Sequence, residues 1–208
     1  MRKKKPFYPG LILLPVLFAL GVSGCQSRNI SSAELAGPAT AAPANSPAPV
    51  PAVIPVSQAA IRIKAGASAP YKDSRGNIWS ADQGFSGGET MERPDLIITN
   101  TTEPGIYLSE HYGMNSFSWP LANGNYQVKL HFCETYDGIS GPGQRVFSFN
   151  VAGREFKDFD VWVKAGGAYK AYVETVPVEI TNGNMTITFT SNLENPQING
   201  IEIIAQSP

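Results

Sequence analysis

Cysteine is nearly absent from this chain, with only Cys25 and Cys133 in 208 residues. Two cysteines permit one disulfide at most, and none if Cys25 is used otherwise, which excludes a disulfide-stapled scaffold. Histidine is as scarce. His111 and His131 have no Cys or acid partner at a recognised ligand spacing, so no metal centre is written into the sequence. Cys133 shares a strand face with His131, but two ligands are too few for a site. A small buried apolar cysteine is the simpler reading. Charge imbalance is missing too. The net charge of -1 offers no basic face and excludes a nucleic-acid footprint. There is no Ser-His-Asp order, nucleophile elbow or phosphate loop, and no cofactor is implied. The chain also lacks any convincing helical period over three turns.

The N-terminus has an export layout. Arg2, Lys3, Lys4 and Lys5 form a basic segment, followed by an apolar run from Leu11 to Val22. That run is about 12 residues long, short of the roughly 20 that a spanning helix needs. Val22-Ser23-Gly24-Cys25 resembles a bacterial lipobox, in which small residues precede a cysteine that is lipidated and becomes the mature N-terminus. The alternative is an ordinary export signal with an incidental Cys25. On the lipobox reading, residues 1–24 are a signal peptide, and Gln26 after the cysteine leans towards the outer membrane in a Gram-negative host. The lipid would hold the protein on a membrane surface rather than across it.

Residues 25–60 read as a disordered tether. Ala, Ser and Pro dominate, charges are few and aromatic rings absent, so the segment cannot bury enough surface to fold. Extended as polyproline II, it would reach up to about 100 Å.

A folded domain is expected over 61–206. Short runs of β type alternate with turn clusters, as in Ile61–Gly66, Ser116–Trp119, Val146–Val151, Phe156–Val163, Tyr172–Ile180 and Ile198–Ile204. The clearest is Asn125–Tyr136. Tyr126, Val128, Leu130 and Phe132 share one face, with Gln127, Lys129 and His131 on the other. Asn123-Gly124 and Asn182-Gly183 are hairpin-turn signals. The pattern predicts an all-β fold, an antiparallel β-sandwich or jelly roll. The long Gly-rich stretch from Ala67 to Thr102 reads as a functional loop.

Candidate site residues come from rings and acids near turns. Tyr71, Trp79, Phe85, Tyr107, Tyr112 and Tyr136 sit in or beside turn-rich segments, where they either pack the sandwich edges or stack on a sugar. Glu110, Glu134, Asp137, Asp160 and Glu194 lie near strand ends, where a carboxylate can accept two hydrogen bonds from adjacent sugar hydroxyls. Glu134 falls on the core parity of its strand. It therefore needs a donor partner or belongs to a site, because an unpaired buried charge is very costly. A pair of acids could also hydrolyse a glycosidic bond, although no pair stands out.

The motifs together resemble the malectin domain, a carbohydrate-binding β-sandwich of galactose-binding-domain-like type. The resemblance runs from Ile61 to Ile204. It is carried by Ile63-Lys64-Ala65-Gly66, Trp79-Ser80-Ala81-Asp82 and Tyr107–Tyr112. Further matches are Leu130–Tyr136, Arg145–Val151, Phe159-Asp160-Val161 and Asn195–Ile201. It implies non-catalytic binding of a di- or oligosaccharide by Tyr112, Tyr136 and the acid Glu194, with Phe85 near a further family tyrosine. Asp137 stands where the family has a second ring after Tyr136, and Glu194 where it has Asp. The expected protein is a lipid-anchored envelope module with a carbohydrate ligand. A protein-interaction role for the same loop rim is the alternative.

Overall fold

Alternating apolar residues build two facing antiparallel sheets, and the rest of the domain is draped on them. The computed structural model describes residues 59–207. The expected signal peptide, Cys25 and nearly all of the expected tether lie outside the described residues.

The first strands are β1 (Ile61–Lys64), β2 (Tyr71–Lys72), β3 (Ile78–Trp79), β4 (Phe85–Ser86) and β5 (Glu89–Glu92). A 3₁₀ turn, Pro104–Leu108, leads to β6 (Ser109–Tyr112), β7 (Ser116–Pro120) and β8 (Gly124–Phe132). Then follow β9 (Val146–Val151), β10 (Arg154–Phe159) and a short helix α1 (Val161–Ala165). The last strands are β11 (Tyr172–Ile180), β12 (Asn184–Leu193), β13 (Gln197–Ile198) and β14 (Gly200–Ala205).

One sheet has the order β1-β14-β8-β11 and the other β10-β9-β12-β7-β4. β8 is central to the first, with Leu130 opposite Ile201 on one side and Glu174 on the other. Its predicted inner face, Tyr126, Val128, Leu130 and Phe132, is buried throughout. Across the sandwich it meets Phe117, Phe147, Phe149, Val151 and Ile187. Phe132 anchors an aromatic cluster, its ring centroid 4.9 Å from Phe159 and 5.8 Å from Phe149. Tilted pairs of this kind add to the area they bury.

The outer face of β8 is covered at its C-terminal end. His131 is buried under Trp79, whose ring meets it edge-on at 5.2 Å, and Tyr107, whose hydroxyl lies 2.9 Å from Nδ1. These belong to a second apolar cluster with Ile98, Ile106, Cys133 and Ala171. The predicted long loop therefore contains β2 to β5; its Trp79 covers part of the first sheet, while β4 joins the edge of the second. Asp73 pins the β2–β3 turn by accepting from the backbone N–H groups of Arg75 and Asn77 and from Trp79 Nε1. Burial alone would raise the Asp73 carboxyl, but the Asn77 side-chain amide, which donates to it at 2.9 Å, together with these donors holds it down at about 2. Cys133 is a buried free thiol, pushed up to about 12 by burial, as suits a structural cysteine.

Three expectations are corrected. Neither Asn-Gly pair closes a two-stranded hairpin. β7 and β8 lie in different sheets, as do β11 and β12, so both turns carry the chain from one sheet to the other. The two corners lock together, Gly183 N–H donating to Asn123 Oδ1 and Leu121 N–H to the Gly183 carbonyl. The predicted strand Phe156–Val163 stops at Phe159. Asp160 caps a helix there by accepting from Val163 N–H at 3.1 Å, and Gly166 ends it in the left-handed conformation.

Candidate functional site

A third small sheet, β13-β6-β5, stands at one end of the sandwich. Its register sets Tyr112 between Glu89 and Gln197, and Glu110 opposite Met91. Gly66, at φ 76, lets the chain after β1 pass against the Glu110 backbone where no side chain would fit. Beside this sheet the loop after β8 turns up with Tyr136, and the loop after β12 turns up with Glu194 and Asn195. Between them lies a cavity of about 300 Å³. Tyr112, Tyr136 and Glu194 line it, together with Met91, Arg93, Glu110, Arg145 and Asn195.

Two ion pairs form its base. Arg145 Nε donates to Glu134 Oε2 at 2.8 Å, with side chains 5% and 0% exposed. Arg145 Nη1 donates to the Asn195 carbonyl, and Glu134 Oε1 accepts the Tyr136 N–H at 3.1 Å. Glu134 thus has the donor partner that its core parity demanded. Burial pushes its carboxyl above the usual range, while Arg145 and the Tyr136 N–H pull against that shift. In the second pair Arg93 Nη1 donates to Glu110 Oε1 at 2.8 Å and to Thr135 Oγ1, whose own hydroxyl donates to Glu110 Oε2.

At the rim, the Tyr112 hydroxyl donates to Glu89 at 2.9 Å, and this bond raises its pKa. Tyr136 is 48% exposed and Met91 41%, so an aromatic ring and a thioether face the opening. The arrangement offers a flat ring, hydrogen-bond donors on two guanidinium groups and a carboxylate acceptor. Those are the groups that hold a polyhydroxylated ligand with one apolar face.

Two sequence-predicted residues are not in the lining. Phe85 is packed inward, stacked on His111 at 4.3 Å and tilted against Phe117 at 5.1 Å. Asp137 accepts the Tyr169 hydroxyl at 2.7 Å. Trp79 and Tyr107 belong to the second core instead. Sequence reasoning missed Met91, Arg93, Arg145 and Asn195. For Arg145 a signal was present, since a core-parity Glu134 calls for a nearby cation and Arg145 follows within the same loop.

His111 supports the Tyr112 strand from behind. Its Nδ1 faces Asp82 Oδ1 at 3.0 Å and its Nε2 faces the Gly87 carbonyl at 2.9 Å. Both partners can only accept, so both bonds require the imidazolium. Burial alone lowers the His111 pKa, but Asp82 and the Gly87 carbonyl together raise it above its ordinary value. Among the described residues, no group of three His, Cys, Asp or Glu side chains could hold a metal ion. No described helix is long and apolar enough to cross a membrane.

These features define an all-β sandwich module with a loop-lined pocket at one end. The malectin domain model matches residues 59–203, and the chain belongs to that family, one of binding domains. Relatives include a probable leucine-rich repeat receptor-like serine/threonine-protein kinase of Arabidopsis thaliana, 43% identical over 122 residues. That match covers 54% of this chain and 12% of the kinase. Kinesin-like protein KIN-14E of Oryza sativa subsp. japonica is 28% identical over 67% of this chain and 14% of its own length. The chain thus spans a small part of the curated relatives it matches. Among solved structures, Bacteroides uniformis beta-glucuronidase superposes with a TM-score of 0.65 at 15% identity, over 71% of this chain and 18% of that one. The plant receptor-like kinase FER gives 0.62 at 19% identity, over 71% and 49%. Likenesses this distant show the fold alone.

Two outcomes are expected. Arg145→Ala leaves Glu134 as an unpaired buried charge and should cost about 3–5 kcal/mol of stability, read by denaturant titration; a loss within experimental error would contradict the pairing. For His111 the folded-state pKa is the raised one. Its contribution is therefore full below the ordinary value of about 6.5 and lost as pH rises through the folded value. The melting temperature should fall over that rise, and His111→Gln should flatten the dependence. An unchanged profile in the variant would exclude His111 as its source.

Proposed function

We propose that this protein is a non-catalytic carbohydrate-binding module that takes a di- or oligosaccharide in the pocket of Tyr112, Tyr136 and Glu194. The observation that carries the reading is the convergence of those three side chains, from three separate loops or strands, on one cavity of about 300 Å³. Tyr136 stacks on the apolar face of the sugar. Tyr112 contributes ring and hydroxyl, and Glu194 accepts from sugar hydroxyls. Phe85 acts indirectly, by holding His111 beside Tyr112. Hydrolysis is disfavoured because Glu110 and Glu134 are each committed to an arginine.

The protein is exported and anchored through a lipid on Cys25, probing glycans at the cell envelope on the end of its tether. The supporting feature is the order of basic segment, short apolar run, small residues and Cys25. In a bacterial host, metabolic labelling with a fatty acid should mark the chain and the Cys25→Ser variant should stay unlabelled; equal labelling of both would refute the anchor.

A second reading is a protein-interaction module using the same rim, favoured by the exposure of Met91 and Tyr136. A complex of FER and LLG2 with the plant peptide RALF23 has the same fold in one of its chains. Glycan arrays and calorimetry on the purified chain separate the two. Saccharide binding at millimolar concentration or better is expected, weakened about threefold to tenfold by Tyr136→Ala. No binding to any glycan sinks the carbohydrate reading. A partner captured equally well by Tyr136→Ala would then support the second.

A further inference from the structure

Tyr136 is the exposed ring of the pocket, yet among the described residues no hydrogen bond or ring contact holds the ring itself. Among the described residues its hydroxyl has no hydrogen-bond partner, and the residue is 48% exposed. Its direction is inherited from the backbone on either side. On the near side, Glu134 Oε1 accepts the Tyr136 N–H. On the far side, Gly138 leaves room for the ring to lie over the chain, since a side chain there would collide with it. Between them, Asp137 is tied to the Tyr169 hydroxyl at 2.7 Å.

Tyr169 is itself held in an unusual way. Its φ of 56 is in the left-handed region, which a bulky L residue rarely adopts. Three hydrogen bonds keep it there. Its N–H donates to the Glu134 carbonyl at 2.9 Å, and its carbonyl accepts from Thr99 N–H and Thr99 Oγ1. The Asp137 bond raises the Tyr169 pKa, and the charge of Arg93, in the pocket lining, also acts on it. Strain of this kind persists where the surroundings over-determine a residue, and it clusters at functional positions. Both holds on Tyr136 therefore converge on Glu134, one through its carboxylate and one through its carbonyl by way of Tyr169.

We infer that Tyr169 is a positioning residue that acts through Asp137, latching the loop that carries Tyr136 so that its ring is set for ligand before ligand arrives. Asp137 is thus an anchor rather than a contact. The latch lowers the ordering cost of binding, the general route by which preorganisation adds affinity. The inference rests on the pocket reading for its purpose, but its geometry can be tested without a ligand.

The test uses the full chain. Tyr169→Phe removes only the hydroxyl and keeps the ring; Asp137→Ala removes the acceptor; Asp137→Asn keeps one. Backbone ¹⁵N relaxation should show lower order at Tyr136, Asp137 and Gly138 in the first two variants, with order restored towards the parent in Asp137→Asn. The double variant should be no worse than either single one, because one bond is lost in all three. Maltose, cellobiose and laminaribiose serve as probes in calorimetry. A disaccharide that binds the parent should bind Tyr169→Phe about threefold to tenfold more weakly. Unaltered order in Tyr169→Phe overturns the latch. Lowered order with unaltered affinity overturns its positioning role. If no disaccharide binds the parent, the pocket reading is weakened while relaxation still decides the latch.

Discussion

One buried ion pair organises the pocket end of this domain. Glu134 and Arg145 meet at 2.8 Å with almost no exposure. Removing two charges from water is expensive, and a buried pair of this kind is poor evidence for stability on its own. Its value here is geometric. Glu134 carries Tyr136 through its carboxylate and Tyr169 through its carbonyl, and Arg145 carries the Asn195 turn. Three loops from distant parts of the chain are thereby fixed to one point. A hydrophobic pair of equal volume would fill the space but leave the Tyr136 N–H and the Asn195 carbonyl without these partners.

The sandwich makes that point rigid. β8 is paired on both sides along its length, and its inner face is packed into the aromatic cluster around Phe132. Glu134 follows two residues after the strand ends, so the carboxylate is delivered by a backbone with little freedom. The covering layer contributes from the other side. Trp79 and Tyr107 bury His131 on the outer face of β8, and the same layer continues into β5 and β6, which supply Met91, Glu110 and Tyr112. The lining of the pocket thus depends on a segment that looks irregular but contributes to a second, smaller core.

Much of this was legible beforehand. Strands such as Val146–Val151 and Tyr172–Ile180 are read correctly because period-two alternation reports directly on a half-buried sheet. The buried parity of Glu134 was legible for the same reason, and so was its need for a partner. Other parts were not. The burial of His131 was not, because alternation describes one sheet and says nothing of what lies over it. Asn123-Gly124 specifies a turn, but whether the next strand pairs or crosses to the opposite sheet depends on the packing of both. The five-residue helix after Asp160 is too short for a period, and only its caps, Asp160 and Gly166, announce it.

The amino-acid sequence by itself determined the all-β class, the inward face of the strand that became β8 and the presence of a buried acid that had to be paired. Those follow from local chemistry: side-chain alternation, turn residues and the cost of an unpaired charge. The tertiary structure alone decided which rings line the pocket. Tyr112 and Tyr136 reach the pocket, while Phe85, Trp79 and Tyr107 pack inward, although all five are aromatic residues near turns. The same is true of Arg93 and Arg145, which enter the site through contacts between segments far apart in the chain. Residue type carries the capacity to stack or to donate. Only the meeting of distant segments chooses which residues use it.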